Sequence, residues 1–458
     1  MPADEDDAAY ERHDIPYGRP FFACLAPAWL DHVALIRGYE PPSRRRGFAW
    51  CDLGCGQGVT PCVLAATHPA GVFHGIDLMP QHIDHARRLA VESAAANALF
   101  HEADFADDLR LPRFQYIVSH GVYAWVGPSV QAAFLRFVDR HLAPGGLVYV
   151  SYNAMPGWAS EGPLQNLVRA LAGTVRGDSA RRFRAAARVV RAMTASKVPA
   201  LTASFGAAKL EQDVGARLAY LVHEYLQRAW RPLYVTEVRA SMASIGLVPV
   251  GSATFIENYD EYVLHAKARE LLASITDVDV RELVRDYFID QTFRRDVFVR
   301  RGRRLDERTA RRRLLDSTFA LTRPAALVKY VGRTPAGQLR FDNDAAHAVV
   351  AGLARGPRRL AEVAATSKLA QQDILANALV LCAAGALRPV EPHGASVHAL
   401  NQTVLGRLGG HEELGCFGLS CGTALSLDRA LMKLLRTKGN LERGGFAGWR
   451  DYLDVHAE

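Results

Sequence analysis

The chain of 458 residues lacks any apolar run that approaches the roughly 18 residues needed to cross a bilayer. Its first ten residues, MPADEDDAAY, are acidic and polar and do not resemble a secretory signal. Cysteine is scarce, and seven cysteines, an odd number in so long a chain, do not indicate a disulfide framework. We therefore expect a cytoplasmic protein of two or three domains with no membrane span.

Metal-ligand patterns are also missing. Cys416 and Cys421 stand five residues apart without a partner His or Cys pair, so we expect no metal site. His223-Glu224 is not a zinc-protease pair because Gln227 occupies the position of the second ligand, and His223 is predicted to pack or cap a helix.

Lysine is rare, so the net charge of +7 comes almost entirely from arginine. One arginine cluster spans residues 181–191 and a denser one spans 294–313. Such clusters can meet phosphate or an acidic protein surface, but acidic residues interleave the second, which favours ion pairs on a solvated helix. No aromatic residues alternate with the arginines, so no nucleic acid partner is expected.

Against this background one stretch is highly informative. FAWCDLGCGQG, from Phe48 to Gly58, predicts a strand followed by a glycine loop, and VFHGIDL predicts a second strand ending at Asp77. Glycines at 54, 56 and 58 allow a sharp turn and close approach to a ligand, and the Asp77 carboxylate suits ribose hydroxyls. A tight turn without a ligand is the alternative. The G-x-G-x-G spacing differs from the G-x-G-x-x-G of dinucleotide folds.

Strands and helices then alternate, which predicts an α/β fold with a parallel sheet. Predicted strands cover residues 99–103, 114–119 and 147–152, and predicted helices cover 81–96 and 130–142. Ligands bind beyond the carboxyl ends of such strands. Three polar and aromatic segments follow those ends: Asp104-Phe105, His120 to Trp125, and Ser151 to Trp158.

Together, four segments resemble one branch of the class I S-adenosylmethionine (SAM) methyltransferases, namely 10–21, 52–58, 119–125 and 149–158. That branch carries a methyltransferase regulatory domain and includes the rickettsial-type protein lysine methyltransferases, which modify outer-membrane proteins. Segments between residues 223 and 300 match it too, so the resemblance covers roughly residues 10–310. It implies a Rossmann-like, seven-stranded methyltransferase domain and SAM as cofactor.

The resemblance also implies roles for individual residues. The expected cofactor site comprises Asp52, Gly54, Cys55, Gly56, Gly58, Asp77, Leu78, Asp104, Phe105 and Ser119. Asp77 would hold the ribose, and Asp104 would accept from the adenine amino group beside the Phe105 ring. The expected acceptor wall comprises Tyr17, His120, Tyr123, Trp125, Tyr152 and Trp158, an arrangement that suits a developing ammonium. His120 could act as a base or only hold the substrate. Helix caps and core packing are the alternatives.

We predict three domains. Residues 1–265 form the methyltransferase domain, with a last strand at 259–265 and a helical insertion at 156–231 that covers the site. Residues 266–330 form a basic helical linker or regulatory region. Residues 331–458 form a mainly helical, winged-helix-like region with a helical tail that a glycine-rich stretch, 406–422, interrupts. The third helix of the winged-helix-like pattern lacks basic residues. This favours a partner-binding or homo-oligomerising role for the region over DNA contact.

These observations predict a SAM-dependent N-methyltransferase acting on lysine of a protein substrate. The chain lacks an Asn-Pro-Pro-Tyr-like motif after the fourth strand, which argues against planar amides and adenines as acceptors. A small-molecule methyltransferase of secondary metabolism and a non-catalytic SAM-binding scaffold are the alternatives. The glycine spacing disfavours a nicotinamide oxidoreductase.

Overall fold

The computed structural model describes residues 14–201, 204–210, 217–392, 396–408, 410 and 413–427. Its main sheet has seven strands in the order β3-β2-β1-β4-β5-β7-β6, and only β7 runs antiparallel to its neighbours. The strands are β1 Phe48–Leu53, β2 Gly71–Asp77, β3 Ala98–Glu102, β4 Phe114–Ser119, β5 Leu142–Asn153, β6 Leu247–Ser252 and β7 Phe293–Arg300. The predicted α/β, Rossmann-like methyltransferase fold is confirmed.

Helices cover both faces of the sheet, because its central strands are apolar on both sides. Neighbouring residues of β1 point into different cores: Trp50 packs in one, and Cys51 packs in the other. The first core includes side chains of α1 Pro27–Ile36, α2 Val59–Thr67 and α3 Pro80–Glu92. The second includes side chains of α4 Pro128–His141 and α9 Val235–Ala243.

The predicted last strand at 259–265 is wrong. That segment contains the short helix α10 Asp260–Val263, and the strand that completes the sheet is β7, which extends to Arg300. The charged residues of β7 do not suggest a buried strand in the sequence, but in the fold their charges are neutralised by ion pairs. Arg294 lies 3.0 Å from Asp296 and 2.5 Å from Asp286. The methyltransferase sheet therefore continues beyond the boundary predicted at residue 265.

Between β5 and α9 the chain forms a helical lid over the carboxyl ends of the strands. Its helices are α5 Glu161–Gly173, α6 Ser179–Ala195, α7 Phe205–Leu210 and α8 Leu218–Leu226. They pack around a core of their own that includes Leu164, Phe183 and Leu221. Glu161 is buried at the centre of the lid, where its carboxylate accepts from Ser204 Oγ and the Gly206 amide at 3.1 Å each.

The chain after β6 contains α10, α11 Ala266–Ala273 and α12 Val278–Ile289, and α13 Glu307–Asp316 follows β7. A second sheet, β11-β8-β12, then packs with three helices in a winged-helix-like arrangement. Its elements are β8 Thr318–Leu321, α14 Asp344–Leu353, β11 Arg358–Arg359, α15 Leu360–Ser367, α16 Gln371–Ala383 and β12 Leu387–Val390. The hairpin of β9 Val331–Thr334 and β10 Gly337–Arg340 precedes α14.

The glycine-rich stretch predicted within the tail contains a hairpin. Helix α17 His398–Gly406 leads to β13 Cys416–Leu419 and β14 Thr423–Ser426, which pair antiparallel. The part of the predicted helical tail that follows residue 427, and residues 10–13 of the N-terminal segment, lie outside the described residues. Within the described part of the chain, no helix combines the length and apolarity needed to cross a bilayer.

Candidate active site

A cavity of about 510 Å³ opens at the carboxyl ends of the parallel strands, under the lid. It brings together many of the residues predicted from the sequence. Those that line it are Tyr17, Asp52, Gly54, Cys55, Gly56, Asp77, Leu78, Asp104, Phe105, His120, Trp125 and Trp158. Residues as far apart in the chain as Tyr17 and Trp158 therefore meet at one site.

Four other predicted residues lie behind the cavity wall. Ser119 is buried and donates to the Leu53 carbonyl at 2.8 Å, so it ties β4 to β1. Tyr123 packs against Phe134 of α4, with ring centroids 5.3 Å apart. Tyr152 is buried and donates to Asp296 at 2.6 Å. Each of these side chains supports the wall from behind instead of facing the cavity.

Gly58 is the fourth of these residues, and its position requires glycine for two reasons: its backbone conformation and the lack of space for a Cβ. It has φ of +74°, and a Cβ there would lie 2.4 Å from Ala86 Cβ, so Gly58 lets α2 pack against α3. Gly54 faces the same problem, with a Cβ 2.4 Å from Val122 Cγ2. At Gly56, by contrast, no atom of the described residues lies within 4 Å of a Cβ, and φ is +54°. Gly56 therefore presents bare backbone to the open cavity.

Asp77, at the end of β2, is the centre of a hydrogen-bond network. Its carboxylate accepts from the Gly56 amide at 2.8 Å and the Met79 amide at 3.0 Å. His82 Nδ1 lies 3.1 Å from the carboxylate, and His82 Nε2 accepts from the Tyr17 amide at 3.2 Å. The imidazole must therefore donate through Nδ1. Asp77 thus fixes the glycine loop directly and the N-terminal segment through His82.

Asp52 is a buried carboxylate that faces the cavity, and only 4 % of its surface is exposed. Within the described part of the chain, its Oδ1 atom has no hydrogen-bond partner. Burial and the nearby Asp77 charge raise the pKa of Asp52 to about 8. A cationic group of a ligand would relieve this unfavourable arrangement. At the rim, Asp104 accepts from the Ala106 amide at 2.9 Å, beside half-buried Phe105.

The N-terminal segment, residues 14–22, closes one side of the cavity. Arg19 Nε donates to Gln57 Oε1 at 2.8 Å, and the Phe22 amide donates to Thr60 Oγ1 at 3.1 Å. Gln57 also donates to the Tyr17 carbonyl. These bonds join the segment to the glycine loop and the start of α2, a contact that the sequence alone does not indicate.

The lid supplies three polar side chains that sequence reasoning did not assign to the site: Tyr220, His223 and Glu224 of α8. His223 Nε2 donates to the Ile15 carbonyl at 2.8 Å, and its ring meets Tyr17 edge-on at 5.3 Å. His223 thus packs as expected, but it also lines the cavity. The feature of the sequence that could have indicated this position is that His223 lies in a largely apolar helix.

Glu224 is 5 % exposed and lines the cavity. Asn153, at the end of β5, donates to its carboxylate at 3.4 Å. Burial, and to a smaller extent the Glu224 charge, raises the pKa of Tyr17 to about 12. The same two causes raise the pKa of Tyr220. Both phenols are therefore neutral donors near pH 7. Trp158 and Phe205 meet edge-on at 5.0 Å and complete this aromatic and acidic end of the cavity.

His120 also lines the cavity, and its Nδ1 atom lies 2.8 Å from the Tyr149 hydroxyl. Its ring packs on Phe22 at 3.9 Å and on Phe293 at 5.7 Å. Burial, with the nearby Arg295 charge, lowers the pKa of His120 to about 3. The imidazole is therefore neutral near pH 7. Among the described residues, no group of three His, Cys, Asp or Glu could hold a metal ion.

Two family profiles match the chain: a methyltransferase domain over residues 51–146, and a predicted methyltransferase regulatory domain over 217–300. An uncharacterized protein of Synechocystis sp., sll1526, is 31 % identical over 358 residues, which are 78 % of this chain and 71 % of that protein. The chain belongs to the class I SAM-dependent methyltransferases that carry this regulatory domain.

Solved structures support the same fold. PKMT2 from Rickettsia typhi, in complex with AdoHcy, superposes with a TM-score of 0.68 at 20 % identity, covering 92 % of this chain and 88 % of that chain. A shorter match, 32 % identical over 122 residues, joins 27 % of this chain to 43 % of a trans-aconitate 2-methyltransferase of Methylobacterium nodulans. SAM is the cofactor of the present chain. The open backbone at Gly56 fits such a cationic ligand, as does the Asp52 oxygen that has no partner among the described residues.

The matched regulatory domain is part of the active-site architecture. It begins at the start of α8, which carries Glu224, and it ends with β7. Strands β6 and β7 within it complete the main sheet, and Thr292 and Phe293 line the cavity. The methyltransferase sheet is therefore incomplete without this region.

Proposed function

We propose that this methyltransferase transfers methyl groups from SAM to the side-chain amine of lysine in a protein substrate. The observation that carries the proposal is Glu224, a buried carboxylate among the aromatic rings of Tyr17, Tyr220 and Trp158 at the end of the cavity beyond His120. A carboxylate beside aromatic faces favours a cationic amine both by charge and by cation–π attraction.

At the opposite end, we propose that the predicted cofactor residues hold SAM. Asp77 would accept from the ribose hydroxyls while it keeps the Gly56 amide in place. Asp52 would pair with the ammonium of the methionine part of SAM. This attraction would offset the repulsion by Asp77 that contributes to the raised pKa of Asp52. Asp104 and Phe105 would meet the adenine at the rim. When bound, SAM supplies an electrophilic methyl group on a sulfonium.

The acceptor must be a neutral amine when its nitrogen attacks. It would become an ammonium as the new N–C bond forms, while the methyl–sulfur bond breaks and its electron pair leaves with S-adenosylhomocysteine. Glu224 and Asn153 would orient the amine and stabilise the developing positive charge. His120 has too low a pKa to remove a proton efficiently near pH 7. We therefore assign His120 to positioning, supported by Tyr149, and expect the proton to leave through water.

A small-molecule acceptor with carboxylates, such as trans-aconitate, would meet the Glu224 charge unfavourably. This observation favours an amine over an acidic metabolite. The resemblance to rickettsial-type protein lysine methyltransferases supports a protein as the carrier of that amine, and the likeness to PKMT2 supports the same domain order across most of the chain.

The test is to incubate the purified protein with methyl-labelled SAM and a soluble-plus-envelope lysate of its own organism. Base-stable label in acid-precipitable protein, mapped to lysine by mass spectrometry, is the expected result. Label confined to the small-molecule fraction would overturn the protein substrate. Glu224→Gln serves as the site control, because its loss of label would connect the activity to the acidic end of the cavity.

A further inference from the structure

The charge of the chain is concentrated in the lid. Residues 156–231 contain twelve Lys and Arg but only five Asp and Glu, a net charge of +7. The whole chain also has a net charge of +7, so the rest of the molecule is balanced. Two of the five acids, Glu161 and Glu224, are buried. The outer surface of the lid is therefore strongly basic.

Helix α6 carries the centre of this charge. Four exposed arginines follow one side of the helix: Arg181, Arg184, Arg188 and Arg191. The opposite side of α6, with Phe183, Ala187 and Val190, is buried in the core of the lid. Within the described residues, none of these four guanidinium groups forms an ion pair. We call this surface the α6 arginine face.

The second arginine cluster behaves differently, because its arginines pair with acids elsewhere in the fold as well as with an interleaved one. Arg303 and Arg313 both pair with Glu40, and Arg311 pairs with Glu307 at 3.1 Å. Upstream, Arg300 pairs with Asp139 at 2.9 Å. Partners inside the molecule explain much of that cluster, whereas the described structure offers none for the α6 arginine face.

Helix α6 is connected to the end of the cavity that contains Glu224, which is the proposed acceptor end. The amide of Ser179, at the start of α6, donates to the Asp14 carboxylate at 3.1 Å, and Tyr17, three residues further on, lines the cavity. Helix α6 also packs in the same core as α8, whose Glu224 reaches the cavity. The start of α6 therefore lies beside the N-terminal segment that lines this end of the cavity.

We propose that the α6 arginine face binds an acidic segment of the protein substrate next to the lysine that is methylated. The proposal rests on the proposed function for the lysine, but the binding can be measured without methyl transfer. From Arg181 to Arg191 the helix rises about 15 Å, which an extended peptide spans with roughly five residues. Phe183 is buried, so this face offers no ring on which nucleic acid bases could stack.

The test compares charge removal on two helices. Arg184→Gln/Arg188→Gln removes two exposed arginines one turn apart on α6, and Arg308→Gln/Arg312→Gln removes an equally spaced exposed pair on α13. A quadruple variant also replaces Arg181 and Arg191. The probe is a fluorescein-labelled peptide with three Glu on each side of one Lys, measured by anisotropy against its Gln counterpart.

We expect the Glu peptide to bind the wild type and the α13 variant equally and more tightly than the Gln peptide does. The α6 double variant should bind it about fivefold more weakly, the quadruple variant weaker still, and added salt should reduce the difference. Unchanged affinity for S-adenosylhomocysteine would show that the variants are folded around an intact cofactor site.

Equal binding of the Glu and Gln peptides, or wild-type binding by the quadruple variant, would overturn the proposal. So would tighter binding of duplex DNA or anionic phospholipid vesicles than of the Glu peptide. Failure to label any protein in a lysate would instead count against lysine methylation itself, while α6-dependent peptide binding would remain.

Discussion

The two ends of the cavity are built in different ways. The cofactor end comes largely from two adjacent strand ends, residues 48–58 and 72–78, which Asp77 joins by accepting from the Gly56 amide. The acceptor end comes from segments far apart in the chain: the N-terminal segment, the end of β5, lid helices α7 and α8, and the start of β7. The cofactor end thus belongs to the common fold, whereas the proposed acceptor end depends on how the lid packs.

This contrast gives the regulatory domain a physical role. Its matched residues, 217–300, contribute both Glu224 at the acceptor end and the last two strands of the sheet. A change in this region should therefore affect both the proposed acceptor site and the stability of the fold. The predictions below separate the two ends, starting with the largest expected effect.

Asp77→Ala should weaken binding of S-adenosylhomocysteine roughly 100-fold, because the Gly56 and Met79 amides and His82 lose a charged acceptor. Isothermal titration calorimetry measures this effect. Asp84→Asn, an exposed position on α3, is the matched control and should bind like the wild type. Near-wild-type affinity in Asp77→Ala would mean that this network does not hold the cofactor.

Glu224→Gln should lower kcat/KM for the lysine acceptor about 30-fold, because the amine loses its buried counter-charge. Affinity for S-adenosylhomocysteine should stay within about twofold of the wild type, since Glu224 lies at the other end of the cavity. Glu224→Asp keeps the charge and should recover part of the rate. Equal losses in cofactor affinity and rate would contradict the division of the cavity into two ends.

Asp52 predicts a pH dependence at the cofactor end. With a pKa of about 8, this carboxyl is mostly neutral at pH 6 and gains charge as the pH rises. Affinity for S-adenosylhomocysteine should therefore rise about tenfold between pH 6 and 7.5, with proton release on binding at pH 7. Asp52→Asn should bind weakly throughout, with neither effect. Calorimetry in buffers of different ionisation enthalpy counts the protons.

The same carboxyl affects the stability of the ligand-free protein with the opposite sign. The pKa of Asp52 is about 8 in the folded state and 3.8 in the unfolded chain. Its contribution to the free energy of unfolding is therefore fully present below the unfolded pKa and is lost as the pH rises from there through about 8. Asp52→Asn should remove that loss and raise the free energy of unfolding at pH 8 by about 1 kcal/mol or more. Urea denaturation at pH 5 and 8 measures this difference. A lower free energy of unfolding for Asp52→Asn than for the wild type at pH 8 would contradict the prediction.

The sequence predicts the cofactor end better than the acceptor end, for physical reasons. Strand β4 was predicted with the observed bounds, because an apolar run between polar segments leaves few alternatives. Strand β7 was missed because Arg294 and Asp296 look exposed until their partners are known. Tyr152 was assigned to the wall, but side chains alternate along a strand, and its neighbour Asn153 faces the cavity instead.

The smallest expected effect tests whether the C-terminal region reaches the cofactor end. Arg407, just after α17, lies 2.8 Å from His85 Nε2, and His85 Nδ1 lies 2.8 Å from the Gln57 carbonyl of the glycine loop. Donation by Arg407 fixes the imidazole tautomer that donates to the loop. Arg407→Gln should therefore weaken S-adenosylhomocysteine binding about threefold. Arg140→Gln, which breaks an exposed ion pair with Asp108, should not. Equal affinities in both variants would limit the C-terminal contact to a structural role and leave the cofactor end governed by the sheet alone.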